Sequence, residues 1–249
     1  MTPKIGGAFL FSIGILSMLA GCSRGLTIGD VIDRNTRAMG GRAAIEAVHS
    51  IEVNLHIVDP GFEVDGIYHA ARPGRMRIDV QAGGKHVFTE AFDGQNGWEW
   101  NGQGEPQPAS PKAAAALRHG VELPGKLFGS HELESHGHKL ELIGRQKIES
   151  IDYYALRLTL SDGYTTTLYV DPNSWLITRR RDVRPLHVDV DPTPTTIEQR
   201  SSDFREVAGV KFPFASTEID LQTGKQLESS KASSIKVNPP IDESIFKKL

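Results

Sequence analysis

From Ser50 onward, apolar and polar residues alternate along the chain. Ile51, Val53, Leu55 and Ile57 interleave with Glu52, Asn54 and His56. After Asp59-Pro60-Gly61 the pattern continues through Phe62, Val64 and Tyr68. After Pro73-Gly74 it returns as Met76, Ile78 and Val80 between Arg75, Arg77 and Asp79. A period of two sends neighbouring side chains to opposite faces, so each stretch predicts a strand with one apolar face. Gly83-Gly84 predicts a two-residue hairpin, because glycine reaches positive φ without a Cβ clash. Val87 to Phe92 follows, and Asp93-Gly94-Gln95-Asn96-Gly97 leads into Trp98-Glu99-Trp100. Further on, Leu140 and Leu142, then Tyr154 to Leu160, resume the alternation. Asp162-Gly163 turns the chain into Tyr164 to Val170, and Asp171-Pro172-Asn173-Ser174 turns it into Trp175 to Arg181. A polar loop precedes Thr195 to Val207, Val210 to Phe214 follows, and two last strands flank Thr223-Gly224. These are antiparallel strands joined in sequence order.

Two stretches break the alternation. Ile28, Val31, Ile32, Ala38 and Met39 recur at helical spacing, with Thr27 and Asp30 placed as a capping box and Gly40-Gly41 as a stop. Arg42 to Val48 adds a further turn or two, with Ile45 and Val48 inward. Such a face packs on a sheet or lies along a membrane surface, and packing is the expectation. Gly102 to Gly137 is punctuated by Pro106, Pro108, Pro111 and Pro124, with a helix starting at Pro111 and running through Ala113 to Leu117. A long excursion of this kind in a β protein reads as a lid or a cavity plug. The fold class is therefore mainly β (α+β). About eleven antiparallel strands form a strongly curved sheet or incomplete β-barrel, wrapped around an N-terminal helix and a helical lid segment.

The N-terminus adds a destination. Lys4 precedes Ile5 to Ala20, which is apolar apart from Ser12 and Ser17 and is shorter than the ~20 residues needed to span hydrocarbon. A basic start, a short apolar run and small residues before a cut describe an export signal. It ends in Leu19-Ala20-Gly21-Cys22, which resembles the bacterial lipoprotein signal; Cys22 is the only cysteine in the chain. By that resemblance residues 1–21 are removed, Cys22 is lipidated at the new terminus, 22–26 form a tether, and 27–249 form a single domain. Two or more acyl chains anchor stably where one does not. The expected location is the bacterial outer membrane, lipid-anchored and facing the periplasm, with the inner membrane and the cell surface as alternatives. Ser23 lies where an Asp would signal inner-membrane retention.

Charge and cysteine usage narrow the picture. The formal charge is −3, and loss of Lys4 with the leader makes it −4. That argues against non-specific nucleic-acid binding. With Cys22 lipidated, no thiol is left for disulfides or thiolate metal sites, so stability must come from an apolar core.

The chain resembles the LolA/LolB-like family, which includes outer-membrane lipoprotein-sorting proteins. The residues that carry this are Ala38-Met39-Gly40-Gly41, Phe92 to Trp98, Tyr169-Val170-Asp171-Pro172, Ser202 to Val207, and Gly209-Val210-Lys211-Phe212-Pro213. The resemblance implies an incomplete barrel closed by helices around an apolar cavity that accepts acyl chains. The Cys22 anchor is similar to the membrane-bound receptor type rather than the soluble carrier. The expected function is binding of lipid or lipoprotein acyl chains without catalysis and without a cofactor. Its partners would be the membrane and lipid, with no nucleic acid. The alternative is an envelope assembly protein that binds a protein partner.

Candidate cavity residues are Met76, Ile78, Trp98, Trp100, Leu127, Phe128, Phe212 and Phe214; cavity lining and ordinary core are both open readings for them. Two other clusters carry chemistry. His131-Glu132-Leu133-Glu134-Ser135-His136 resembles the zinc-protease motif, but with the second histidine one place late, so the two leave a common helical face. With His138 it keeps a metal-dependent hydrolase as a minor alternative. Arg179-Arg180-Arg181 with Arg184 suits anionic headgroups, or else a solvated strand edge. On a strand, Arg179 and Arg181 face away from Arg180.

Overall fold

The computed structural model describes residues 25–186, 188–189 and 191–248. The leader, Cys22 and the first part of the tether lie outside the described residues.

The strands are β1 (Ser50–Asp59), β2 (Phe62–Ala71), β3 (Arg75–Ala82), β4 (Lys85–Phe92), β5 (Gly97–Trp100) and β6 (Gln107–Pro108) in the first half. The second half has β7 (Lys139–Ile148), β8 (Ile151–Thr159), β9 (Thr165–Val170), β10 (Ile177–Arg184), β11 (Thr195–Val207), β12 (Val210–Asp220) and β13 (Gln226–Val237). They form one 13-stranded sheet in the order β6-β5-β4-β3-β2-β1-β13-β12-β11-β10-β9-β8-β7. Each half is a meander in sequence order, and the first and last strands pair antiparallel to join the halves. The sheet is an incomplete barrel, with its edges at β6 and β7.

Among the described residues there are thirteen strands rather than about eleven. One addition, β6, is two residues long and lies inside the excursion, where Pro106 and Pro108 hide any alternation. The stretch read as Trp175 to Arg181 starts later: Trp175 holds φ 59° in the turn, and β10 begins at Ile177.

Helix α1 (Ile28–Met39) has the capping box that its sequence predicts. The Thr27 hydroxyl accepts from the Asp30 amide at 3.2 Å, and the Asp30 carboxylate accepts from the Thr27 amide at 2.8 Å. Its end fits against the β11–β12 turn. A Cβ on Gly40, whose φ is 128°, would stand 2.0 Å from the Gly209 carbonyl oxygen, so glycine alone fits. Two of the motifs that carry the family resemblance, Ala38 to Gly41 and Gly209 to Pro213, therefore meet here. Helix α2 (Arg42–Glu46) buries Ile45, and Val48 follows it into the core.

Helix α3 (Pro111–Glu122) starts on Ser110, whose hydroxyl accepts from the Ala113 amide at 3.1 Å. It packs over β3, β4 and β5. Its first turns lie so close to β5 that a Cβ on Gly97 would stand 3.1 Å from Ala114. Val121, Leu127 and Phe128 join Met39, Ile45, Ile51, Tyr68, Met76, Phe92, Phe212 and Phe214 in one apolar cluster. A second cluster joins Val31 and Leu133 to β7, β8 and β9 through Leu140, Leu156, Leu158 and Leu168. The excursion thus plugs the concave side of the sheet.

Candidate functional site

The strand register shows which side chains line the concave face. Tyr68 stands opposite Val53 and Ile78, and Met76 opposite Phe92. Near α2 this face is close-packed: Val53, Tyr68, Ala70, Met76 and Phe92 are all buried. Further along the same face, toward the β1–β2 and β3–β4 turns, packing relaxes. Leu55, Ile57, Ile78, Val80, Phe88 and Glu90 are only half-buried, as are Ser216, Glu218, Glu228 and Ser230 on β12 and β13. Apolar residues on the inner face of a curved sheet keep accessible surface only where nothing fills the concavity. This looser half of the concave face is the candidate hollow.

Lys126, in the loop after α3, locates its interior. Its side chain is exposed and reaches the concave face at Tyr68. Its ammonium lies 4.4 Å over the Tyr68 ring, a cation–π contact. Burial and the nearby Arg180 charge push its pKa down to about 8.

Arg180 lines two spaces. One is a pocket of about 100 Å³ shared with Lys126, Gln199, Ser201, Leu123 and Phe204. The other is a cleft of about 460 Å³ between α3 (Ala115, Ala116, His119) and the β10 side (Tyr164, Val183, Arg184, Leu186). The acids nearby are mostly engaged. The Tyr164 hydroxyl donates to Asp182 at 2.6 Å, and Arg180 Nη1 stands 3.2 Å from the same carboxylate. Arg184 donates to both Glu218 oxygens at 2.6 Å.

On the far side of the hollow, Glu90 stands directly opposite Glu99. Burial, and then the Glu99 charge, push Glu90 up to about 7.

Helix α3 is fastened across this space at both ends. The Ser110 hydroxyl donates to Asp189 at 2.6 Å. Asp162, in the β8–β9 turn, pairs with Arg118 and accepts from His119 Nε2 at 2.7 Å. Burial raises the Asp162 pKa, but the His119 hydrogen bond, the Tyr164 amide and the two cations outweigh it and hold the group at about 2.

Of the eight candidate residues, Met76, Leu127, Phe128, Phe212 and Phe214 are close-packed core, and Ile78 is half-buried against the same cluster. Trp98 and Trp100 do not belong with them. Trp98 stands opposite Ala91 while Phe92 pairs with Gly97, which puts both tryptophans on the convex face. There Trp98 Nε1 donates to the Phe246 carbonyl at 3.0 Å, and Trp100 stacks near His86 with ring centroids 4.7 Å apart. The two-residue period puts both tryptophans on one face, and the pairing of Phe92 with Gly97 shows which face it is. Lys126 and Glu90 were not singled out from the sequence, whereas Arg180 was, within the basic run 179–181. Lys126 sits in aperiodic sequence and offers no signal. Glu90 does offer one, a charge on the apolar phase of its strand.

The histidines are held apart by separate partners. The His131 side chain is buried between Thr36 and Glu46, each at 3.3 Å. His136 packs edge-on to Phe128, and His138 Nδ1 accepts from the Ser161 amide at 3.1 Å. Among the described residues no group of three His, Cys, Asp or Glu is placed to hold a metal ion. The intervening Glu132 is structural: it receives both Arg72 Nη atoms, at 2.6 and 3.2 Å.

The arginine run is not on a strand edge, as expected of a solvated run; β10 lies between β9 and β11. Arg179 and Arg181 do face away from Arg180. On the convex side they bind the fully buried Glu198, each at 2.6 Å, together with Arg200. Burial raises the Glu198 carboxyl, and its three guanidinium partners more than reverse that, holding it below the usual carboxylate range.

The architecture matches solved structures over nearly its whole length. A LolA superfamily protein from Nitrosomonas europaea superposes with a TM-score of 0.55 at 14% identity, covering 90% of this chain and 99% of the other. A protein described as an outer-membrane lipoprotein-sorting domain, from Vibrio parahaemolyticus, gives 0.56 at 10%, covering 88% and 95%. The fold is LolA/LolB-like. A DUF1329 family protein from Desulfovibrio piger shares the LolA/LolB-like sheet, with a TM-score of 0.58 at 12% identity, covering 88% and 97%. No family model matches the sequence, and neither does any curated protein sequence.

Proposed function

We propose that this protein binds acyl chains of lipids or lipoproteins in the concave hollow and acts by binding, without covalent catalysis. The observation that carries the reading is the change along one face of the sheet. Close-packed apolar residues give way to Leu55, Ile57, Ile78, Val80 and Phe88 with accessible surface. Each CH₂ that such a surface takes from water gains about 0.8 kcal/mol. Helix α3 lies across the space and is held by polar ties at its ends, an arrangement suited to admitting and releasing a chain. Similarity to a lipoprotein-sorting domain supports the same reading at the level of the fold.

The Cys22 anchor would make the protein a fixed receiving or holding station in the bacterial envelope. Labelling cells with radioactive palmitate tests that part: label in the wild type and none in Cys22→Ser is the expected result. Native mass spectrometry of the purified protein, with titration of a fluorescent fatty acid, tests the ligand. Co-purifying lipid or saturable uptake is expected; neither appearing would sink the reading. The alternative of a protein-binding scaffold at the sheet edge finds less support. Edge strand β7 carries Lys139, Arg145 and Lys147 and a bulge between Leu142 and Gly144, features that discourage strand addition.

A further inference from the structure

The hollow holds a cation that the sheet's apolar surface does not need. Lys126 projects into it and makes no hydrogen bond or ion pair among the described residues; its one close contact is the Tyr68 ring. The acids nearest in charge, Glu218 and Glu228, do not pair with it, and Glu218 is already held at both oxygens by Arg184. Arg180, which lines the same small pocket, has a buried Nε with no partner. Arg180 keeps its Asp182 contact at 3.2 Å through Nη1, but its Nε and the Lys126 ammonium are donors left for an anion that carries an apolar tail.

We infer that the hollow selects single-chain amphiphiles with an anionic head, the head held by Lys126 and Arg180 and the acyl chain lying along Leu55, Ile57 and Ile78. This rests on the acyl-binding reading above and adds the head-group class to it. The shared chemistry is a compact oxyanion, which a fatty-acid carboxylate and a lipid phosphate both supply. The neighbouring Arg180 charge disfavours the Lys126 ammonium, and an incoming anion relieves that cost. Neutral lipids gain the chain contacts but not the ion pair.

Equilibrium dialysis of the purified full-length chain tests this with radiolabelled oleate, 1-oleoyl lysophosphatidate and neutral monoolein, each below its micelle concentration. The wild type should hold one or both anions about ten-fold more tightly than monoolein, as expected for a charge-assisted contact. Lys126→Met should abolish that preference by weakening the anions toward the level of monoolein, and Lys126→Arg should restore it. Preference for oleate alone assigns a carboxylate head, and preference for lysophosphatidate alone assigns a phosphate. Equal binding of all three lipids by the wild type, or a preference that survives Lys126→Met, overturns the head-group assignment and leaves acyl binding standing. Binding of none of them overturns both.

Discussion

Glu90 is the residue at which the hollow shows most directly in stability. Its carboxyl faces Glu99 across β4 and β5, in a place where burial favours the neutral acid and holds the pKa at about 7. The unfolded chain releases that proton near the ordinary carboxylate range, about 4.3. Between those values the unfolded state binds fewer protons than the native state, so stability falls as pH rises and levels off above about 7. Glu90→Gln keeps the shape and removes the titration. The variant should melt at the same temperature as the wild type near pH 4 and several degrees higher at pH 8. Scanning calorimetry across that range checks it; a constant offset at every pH would show that Glu90 ionises freely. Arg72 is the contrasting case, a cation whose partners are all in place. It binds the Glu132 carboxylate and the carbonyls of Val48 and Leu127, stapling the excursion to the start of the sheet.

At the level of elements, the strands and α1 were legible because their periods are clean and their ends are marked. Thr27 and Asp30 form the expected cap, and Gly83-Gly84 holds φ 56° and 76° in its turn. Face assignment was harder where a strand is short. Trp98-Glu99-Trp100 is too brief for its phase to be read except against Phe92 across the turn. Inside the excursion only α3 could be read, since its partners are distant in sequence. The proposed function makes that helix the element that would have to move. Its own core contribution among fully buried residues is Val121, whereas Arg118 and His119 tie it to Asp162. Asp162→Ala releases both ties at a half-exposed site, so the expected loss of stability is small, about 1 kcal/mol. Ligand release should instead quicken by about ten-fold if the tie holds the helix across the hollow, since one hydrogen-bonded ion pair of that order separates the two states. Stopped-flow release of a fluorescent fatty acid and amide exchange in α3 check it; unchanged rates in both would show that α3 is fixed by packing alone.

At the scale of the whole molecule, the proposed function makes one sheet both core and container, and the boundary between close and looser packing runs along single strands. On β1, Ile51 and Val53 are buried while Leu55 and Ile57 are not; on β3, Met76 is buried while Ile78 is not. Sequence cannot draw that boundary, because both sides use the same residue types in the same phase. It is set by where α1, α2 and the excursion end. Bulk added on the two sides should therefore have opposite consequences. In close-packed core, extra volume forces neighbours off their rotamers and costs about 1–3 kcal/mol. In a hollow it meets space, and the added apolar surface is itself partly sheltered. Ile78→Trp should leave the melting temperature unchanged or slightly raised, because Ile78 is only half-buried and its neighbour on the same face, Val80, is half-buried too. The same indole occupies the room an acyl chain would use, so fatty-acid affinity should fall by about ten-fold or more, the loss of roughly two buried methylenes. Met76→Trp, one inward position away, should instead destabilise. If Ile78→Trp destabilised as much as Met76→Trp, the concavity would be filled along its length and the container would not exist.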